Sequence, residues 1–327
     1  MLTGTSDWIL RVLYRTRARN ARGIIVNNHA LSTGQTCRLV DLLAKRFDFI
    51  AMDDLARHLE KGARKPFCIL TFDDGRRSNA TEAAPELLRL GVPASFYLTT
   101  SFVNGGKPLW FDRYAALKEA MRPLPEALTL SVLKQLPLRV LEERLDEYCH
   151  RAKLELEFRS EDLRPMSWEE AKWLVHRGFT VGAHAVEHTV LTREPLPSAV
   201  ASIRESISIV TREIGRPCES FAFPNGNYTA TLCRAALHSG AKTVMTTEPM
   251  WVTADASFWR LPRIQLFPQQ SAAKMTLKLA LALQNGVLTN PDGTGRAYRR
   301  IEALKRRARK KWAPSSQTSD TARCQAR

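Results

Sequence analysis

Short apolar runs alternate with stretches of helical spacing along most of the chain. Gly23-Ile24-Ile25-Val26 reads as a buried strand ending near His29, and residues 37–47 carry Leu39, Leu42 and Leu43 at helical spacing. A short strand is expected at Phe49-Ile50-Ala51-Met52, followed by a helix opening at Asp53-Asp54. Phe67 to Phe72 is the clearest buried strand, and Asp73-Asp74-Gly75 stops it abruptly. Residues 80–91 read as helix up to Gly91, and Ala94 to Leu98 as strand. Strand, helix, strand, helix at this spacing predicts βα units on a parallel sheet.

The alternation breaks between about Phe102 and Pro165. That stretch is charged and helix-like, with Leu130, Leu133, Leu136 and Leu141 among its apolar positions, and it reads as an insertion. The alternation resumes at Ser167, which with Glu170 has the spacing of a capping box. A strand follows at Phe179 to Ala183, running into His184. A helix over 197–214 comes next, then strands at Phe221-Ala222-Phe223, Thr243-Val244-Met245 and Leu261 to Leu266. Six or more βα units favour a distorted (β/α) barrel over an open sheet.

Composition and charge refine this organisation. With 327 residues and 44% hydrophobic content the chain can build a large core. The formal charge is +16, and residues 296–327 hold eleven Lys/Arg against two Asp/Glu, a net +9. Tyr298, Ile301, Leu304, Ala308 and Trp312 recur there at spacings of three and four among basic residues, which predicts a basic amphipathic helix. Such a helix fits an anionic membrane surface; nucleic acid is the weaker reading, because no recognition module accompanies the charge. The domains expected are therefore a basic N-terminal helix over 1–21, a barrel over 22–267 with its helical insertion at about 102–165, and a basic helical and disordered tail over 268–327. The six cysteines have irregular spacing and no CxxC pair, which suits reduced thiols rather than a disulfide framework. The N-terminus lacks the pattern of a signal peptide, and no stretch approaches the ~20 apolar residues of a membrane span. The location expected is cytoplasmic, with peripheral contact at the inner membrane face through 296–312.

Chemistry concentrates at predicted strand ends. Two carboxylates ending a buried strand are costly unless something uses their charge. In a parallel barrel those ends face the active site. Asp-Asp-Gly is also good turn chemistry. On extended backbone Asp73 and Asp74 point oppositely, so one can bind a cation while the other faces substrate. His184 and His188 follow another strand, and a spacing of four brings two imidazoles to one side of a helical turn. Two His and one Asp would leave a divalent metal with open positions for water and substrate.

Thr71-Phe72-Asp73-Asp74-Gly75 resembles the first motif of the polysaccharide deacetylase family, carbohydrate esterase family 4. Gly182 to His188 resembles its second motif. Phe221-Ala222-Phe223-Pro224-Asn225-Gly226 resembles the third as found in bacterial surface-polysaccharide members, and Leu261-Pro262-Arg263-Ile264 the last strand of that branch. Asn28-His29 is similar to the Tyr-His that often ends the first strand. The resemblance runs in order over residues 22–267. It implies a distorted barrel of about seven parallel strands, with Asp74, His184 and His188 holding a divalent metal, zinc being the ion expected. It also implies Asp73 as the general base toward water, and Asn225 as an oxyanion donor. The substrate class implied is an N-acetylated glycan, and the expected cytoplasmic location points to a lipid- or nucleotide-linked precursor of it.

The chain departs from the family pattern in two places. No histidine follows His238, where the family usually keeps its general acid, and His29 is the candidate replacement. No arginine precedes Phe221, where many members use one to orient the catalytic aspartate. Arg263 or Arg260 can substitute, and Arg263 is also a candidate for contact with substrate or oxyanion. Two other readings stay open: a metal amidase or esterase acting on a small molecule, and a non-catalytic sugar-binding member.

Overall fold

The computed structural model describes residues 21–61, 65–154, 158 and 160–285. The N-terminal helix and the basic C-terminal helix expected from the sequence lie outside the described residues. The first half alternates as the hydrophobic pattern predicts: β1 (Ala21–Asn28), α1 (Thr33–Ala44), β2 (Asp48–Phe49), α2 (Leu55–Lys61), β3 (Phe67–Phe72), α3 (Ala84–Arg89) and β4 (Ala94–Leu98). Three helices then follow without a strand between them: α4 (Trp110–Ala120), α5 (Leu130–Leu133) and α6 (Leu138–Arg151). The alternation returns with α7 (Trp168–His176), β5 (Thr180–Ala183), α8 (Leu196–Ile214), β6 (Ser220–Ala222), α9 (Ala230–His238) and β7 (Thr243–Met245). The described chain ends with β8 (Val252–Thr253), β9 (Ile264–Gln265) and α10 (Ala272–Asn285).

β1, β3, β4, β5, β6 and β7 are hydrogen-bonded neighbours in that order, all parallel. A parallel bridge joins Met245 to Leu261, and β9 pairs in parallel with β1 at Val26–Ile264 and Asn27–Gln265. The sheet therefore curls into a distorted barrel of seven parallel strands, as the sequence predicts. β8, which the sequence pattern does not show, lies antiparallel on β1. The strand expected over Leu261 to Leu266 is reduced to Ile264–Gln265 plus the bridge at Leu261.

The period of two sorts the strand residues between two cores. Ile25, Ile69, Tyr97, Ala222, Met245 and Leu261 share one buried cluster. Their neighbours Ile24, Val26, Cys68, Leu70, Phe96, Val181, Phe221 and Val244 pack with the helices in another. Gly182 gives Tyr97 its room: a Cβ there would stand 2.7 Å from the tyrosine ring. α10 adds Met275, Leu279, Ala280, Ala282 and Leu283 to the helix-facing core. A barrel ending at residue 267 therefore leaves out a helix that shares its core. α4, α5 and α6 have a core of their own, made by Trp110, Leu117, Leu128, Leu133, Leu141, Leu145 and Cys149. The five described cysteines are free.

Candidate metal centre and active site

The carboxyl ends of β1, β3, β5 and β6 deliver the site. The β1–β3 ladder runs one bond past the strands, Asp73 N–H donating to the Asn28 carbonyl at 2.9 Å. The chain then turns sharply. Asp74 sits at φ 77° and Gly75 at φ 86°, both left-handed, so Gly is the natural residue at the second position and Asp74 is held against its own preference. The same device recurs at the other strand ends, with Ala185 at φ 63° beside His184 and Asn225 at φ 56° after β6. Left-handed backbone at such residues costs about 1–3 kcal/mol each and persists where surrounding contacts over-determine it.

Neighbouring aspartates have opposite environments. Both Oδ atoms of Asp73 are hydrogen-bonded: Arg263 donates from Nη1 to Oδ1 at 2.7 Å and from Nη2 to Oδ2 at 2.8 Å, and Asn27 Nδ2 donates to Oδ2 at 2.7 Å. Burial pushes the Asp73 carboxyl up, but the charge of Arg263, then that of His184, brings it down to about 2. Asp74 is fully buried, and neither of its oxygens has a hydrogen-bond partner. Burial raises its carboxyl as well, and His29, His188 and Arg76 outweigh it to hold the group below its ordinary value.

His188 Nε2 lies 3.4 Å and His184 Nε2 3.8 Å from Asp74 Oδ1. One ligand atom from each of the three lies within 4.8 Å of the others. His184 Nδ1 is 2.8 Å from the Ala222 carbonyl, which only accepts, so Nδ1 carries the proton and Nε2 presents its lone pair to Asp74. Burial lowers both histidines, His188 to about 3, keeping the rings neutral at neutral pH. Two neutral imidazoles and an orphaned carboxylate, all buried, fit a divalent cation, which would relieve the desolvated charge of Asp74. The imidazoles do not share a helical turn as their spacing suggests. Residues 184–190 form an irregular loop, and the left-handed Ala185 turns it so that the rings lie 5.0 Å apart.

The remaining sequence candidates sort clearly. His29 and Asn225 line one cleft of about 300 Å³ with Asp73, His184 and His188. His29 Nδ1 lies 3.5 Å from Gln265 Nε2. Asn225 Nδ2 is buried without a partner. Gly226 packs so closely behind it that a Cβ would meet Thr247 Oγ1 at 1.9 Å. Arg263 does not line the cleft. It is wholly buried and spent on Asp73, Thr71 Oγ1 (3.1 Å) and the Thr246 carbonyl (3.0 Å), with its guanidinium over the Tyr97 ring. Contact with substrate or oxyanion is thereby corrected to orientation of Asp73. Arg260 stands apart from that pair, against Glu248 at 3.9 Å.

Several side chains at the site carry no sequence signal. Asn27 is buried on β1 and meets Asp73 only through pairing in space. Arg76 lies 3.7 Å from Asp74 and clamps Asp112 of α4 with two bonds of 2.9 and 3.0 Å. Trp110 Nε1 donates to the His188 carbonyl at 2.8 Å, and the Phe111 ring meets the His188 ring at 4.9 Å. Trp110, Phe111, Tyr114, Leu130 and Lys134 line the cleft from the helical segment.

A parallel barrel with a buried Asp74–His184–His188 cluster at its carboxyl end has the donor set of a barrel metalloenzyme. Comparison with known proteins narrows that class. Residues 60–244 match the family Polysaccharide deacetylase, more than half of the chain, and the chain belongs to that family of carbohydrate deacetylases. No curated protein sequence matches. Among solved structures, IcaB from Ammonifex degensii is similar at TM-score 0.54 and 16% identity, over 80% of this chain and 98% of that one. The deacetylase PplD of Streptococcus pyogenes, in complex with acetate, gives TM-score 0.53 and 16% identity over 80% and 99%. A de-N-acetylase from Aggregatibacter actinomycetemcomitans gives 0.51 and 13% over 80% and 98%. At these identities the likeness is one of fold.

Proposed function

We propose that this protein is a divalent-metal-dependent hydrolase, with zinc as the expected ion, that removes N-acetyl groups from amino sugars of a surface polysaccharide or its lipid- or nucleotide-linked precursor. The observation that carries the reading is the contrast between Asp73, bonded to donors at both oxygens, and Asp74, buried with both oxygens orphaned beside two imidazoles. Asp74, His184 and His188 would hold the ion, which when bound supplies a Lewis acid for water and for the acetyl carbonyl. Asp73 stays ionised, because Arg263 and Asn27 stabilise its charge, and it accepts the proton of the attacking water. Asn225 aims a donor at the oxygen that gains charge as the carbonyl becomes tetrahedral. His29, across the same cleft, hands a proton to the departing sugar nitrogen. The C–N bond breaks, acetate leaves, and the sugar keeps a free amine.

Residues 22–267 with α10 are the catalytic body in this reading. The basic segment 296–312 supplies contact with an anionic membrane face, where each basic residue contributes ~1 kcal/mol. No described helix is long and apolar enough to cross a membrane. Flotation with anionic vesicles checks the segment: binding is expected to be lost when residues after Gly295 are deleted, and unchanged binding overturns this role.

The purified protein is expected to hold about one divalent ion per chain and to release acetate from N-acetylglucosamine oligomers. Failure to bind any divalent metal under any loading condition would overturn the metal-dependent reading.

A further inference from the structure

The helical segment brings a second kind of chemistry to the cleft. α4 contributes Phe111 and Tyr114, while Leu130 and Lys134 come from either end of α5. Phe111 is already engaged, its ring against His188 and beneath the Arg76 guanidinium. Tyr114 is half-buried and Leu130 is 39% exposed, so this wall suits the apolar face of a sugar.

Lys134 is out of keeping with that wall. It is half-buried, and no carboxylate among the described residues pairs with it. The cleft-lining carboxylate is taken, Asp73 being bound by Arg263. Burial alone depresses its ammonium, with no neighbouring charge to restore it. A cation that loses water without gaining a counter-charge is a net cost to the folded protein, and it is recovered only when an anion arrives.

We propose that Lys134 is a specificity residue, selecting acetylated sugars that carry an anionic group, phosphate or carboxylate, beside the sugar being deacetylated. This rests on the deacetylase reading of the site and adds its substrate class. At about 300 Å³ the cleft has room for one sugar and a substituent. The acetyl group lies toward Asp73 and His184, the ring packs on Tyr114, and the anion meets Lys134.

Two readings of one set of variants test this. Acetate release is compared for N-acetylglucosamine 1-phosphate and an N-acetylglucosamine–glucuronate disaccharide against N-acetylglucosamine and its neutral disaccharide. The native protein is expected to favour the anionic member of each pair by about tenfold in kcat/KM, the scale of a charge-assisted hydrogen bond. Lys134→Gln is expected to abolish that preference through KM, Lys134→Glu to invert it, and Lys134→Arg to keep it. Preference for only one pair identifies the anion as phosphate or carboxylate. Calorimetric binding of glucosamine 1-phosphate against glucosamine needs no turnover, and Lys134→Gln is expected to weaken the first about tenfold relative to the second. The same anionic-to-neutral ratio in the native protein and in Lys134→Gln, in both measurements, overturns the proposal. Acetate release from no substrate, with the binding preference intact, would instead remove the deacetylase reading and leave the anion site standing.

Discussion

The barrel rim and the helical wall meet the same cleft with different kinds of side chain. On the rim, Asp73, Asp74 and His184 are all but excluded from solvent, and three left-handed non-glycine residues, Asp74, Ala185 and Asn225, shape their loops. On the wall, Tyr114, Leu130 and Lys134 are half-buried or exposed and belong to helices with a separate core. Rim and wall are joined at few points, chiefly Trp110 to the His188 carbonyl and Arg76 to Asp112. On the proposed function the difference becomes a division of labour, in which the rim would fix reacting groups in advance and the wall would select what reaches them.

The sharpest way to break that division is at the rim. Asp74→Ala removes the carboxylate on which the cluster converges and leaves two neutral imidazoles. Bound metal, measured by elemental analysis, is expected to fall below a tenth of native, and kcat/KM by at least ~10³-fold. Retained metal with lost turnover would mean that Asp74 is not a ligand and that the orphaned oxygens serve another end.

Arg263 tests whether the rim is preorganised through Asp73. Arg263→Lys keeps the charge but loses the two-pronged contact, and kcat is expected to fall about 10–100-fold with KM little changed. Arg263→Met removes the charge that holds Asp73 down, so the acid limb of the kcat profile is expected to move to higher pH. It also strands a buried carboxylate, at a cost of about 3–5 kcal/mol. Native stability carries the same signature. The Asp73 carboxyl drops from its ordinary 3.8 to about 2 on folding, so its contribution is full above pH ~4 and is lost as pH falls toward 2. His188 is lowered from 6.5 to about 3, so the metal-free protein begins to weaken earlier, as pH falls below ~6.5 and the unfolded chain takes up a proton that the folded one refuses. Urea denaturation between pH 3 and 7 checks both signs.

At the seam between the two regions, Trp110→Phe keeps the packing and deletes the bond to the His188 carbonyl. Outer partners of metal ligands are typically worth 10–100-fold in affinity. Here about tenfold weaker metal binding is expected in a competition titration, because Phe111 still braces the ring. No change would mean that rim and wall are independent even where they touch.

The rim was far more legible in the sequence than the wall. Buried strands announce themselves as apolar runs, and polar residues where such runs stop stand out against them. Asp73, Asp74, His184, His29 and Asn225 all sit there, so position along the chain nearly fixes position in the barrel. Helical spacing misled for His184 and His188, because one left-handed alanine replaces the turn and nothing in Ala-Val-Glu advertises it. Arg263 was found, but its partner was not decidable: a basic residue on a short strand reads the same facing substrate or facing Asp73. Asn27, Arg76, Trp110 and Lys134 were invisible for a stronger reason. Asn27, Arg76 and Trp110 bond Asp73, Asp112 and His188, each tens of positions away, and Lys134 is defined by the cleft it lines; periodicity reports a residue's face without naming what it faces. α10 reads from the sequence as part of the helical tail, because its Met275, Leu279 and Leu283 follow a barrel pattern already complete at Leu266.

The smallest expected effect asks whether the rim stands on its own bonds. Ser167 caps α7, its Oγ accepting from Glu170 N–H at 3.1 Å while Glu170 Oε2 accepts from Ser167 N–H at 2.7 Å. α7 leads into β5 and so to His184, and Met166 N–H bonds the Gly75 carbonyl at 3.0 Å, one residue from Asp74. Losing an N-cap costs about 1 kcal/mol. Ser167→Ala is therefore expected to lower stability by that amount in urea. If the strand-end bonds over-determine the rim, metal affinity should stay within about twofold of native. A fall in metal affinity that tracks the loss of stability would show that the left-handed turn at Asp74 is held in place by the helix behind it, and the rim would then be no more self-sufficient than the wall.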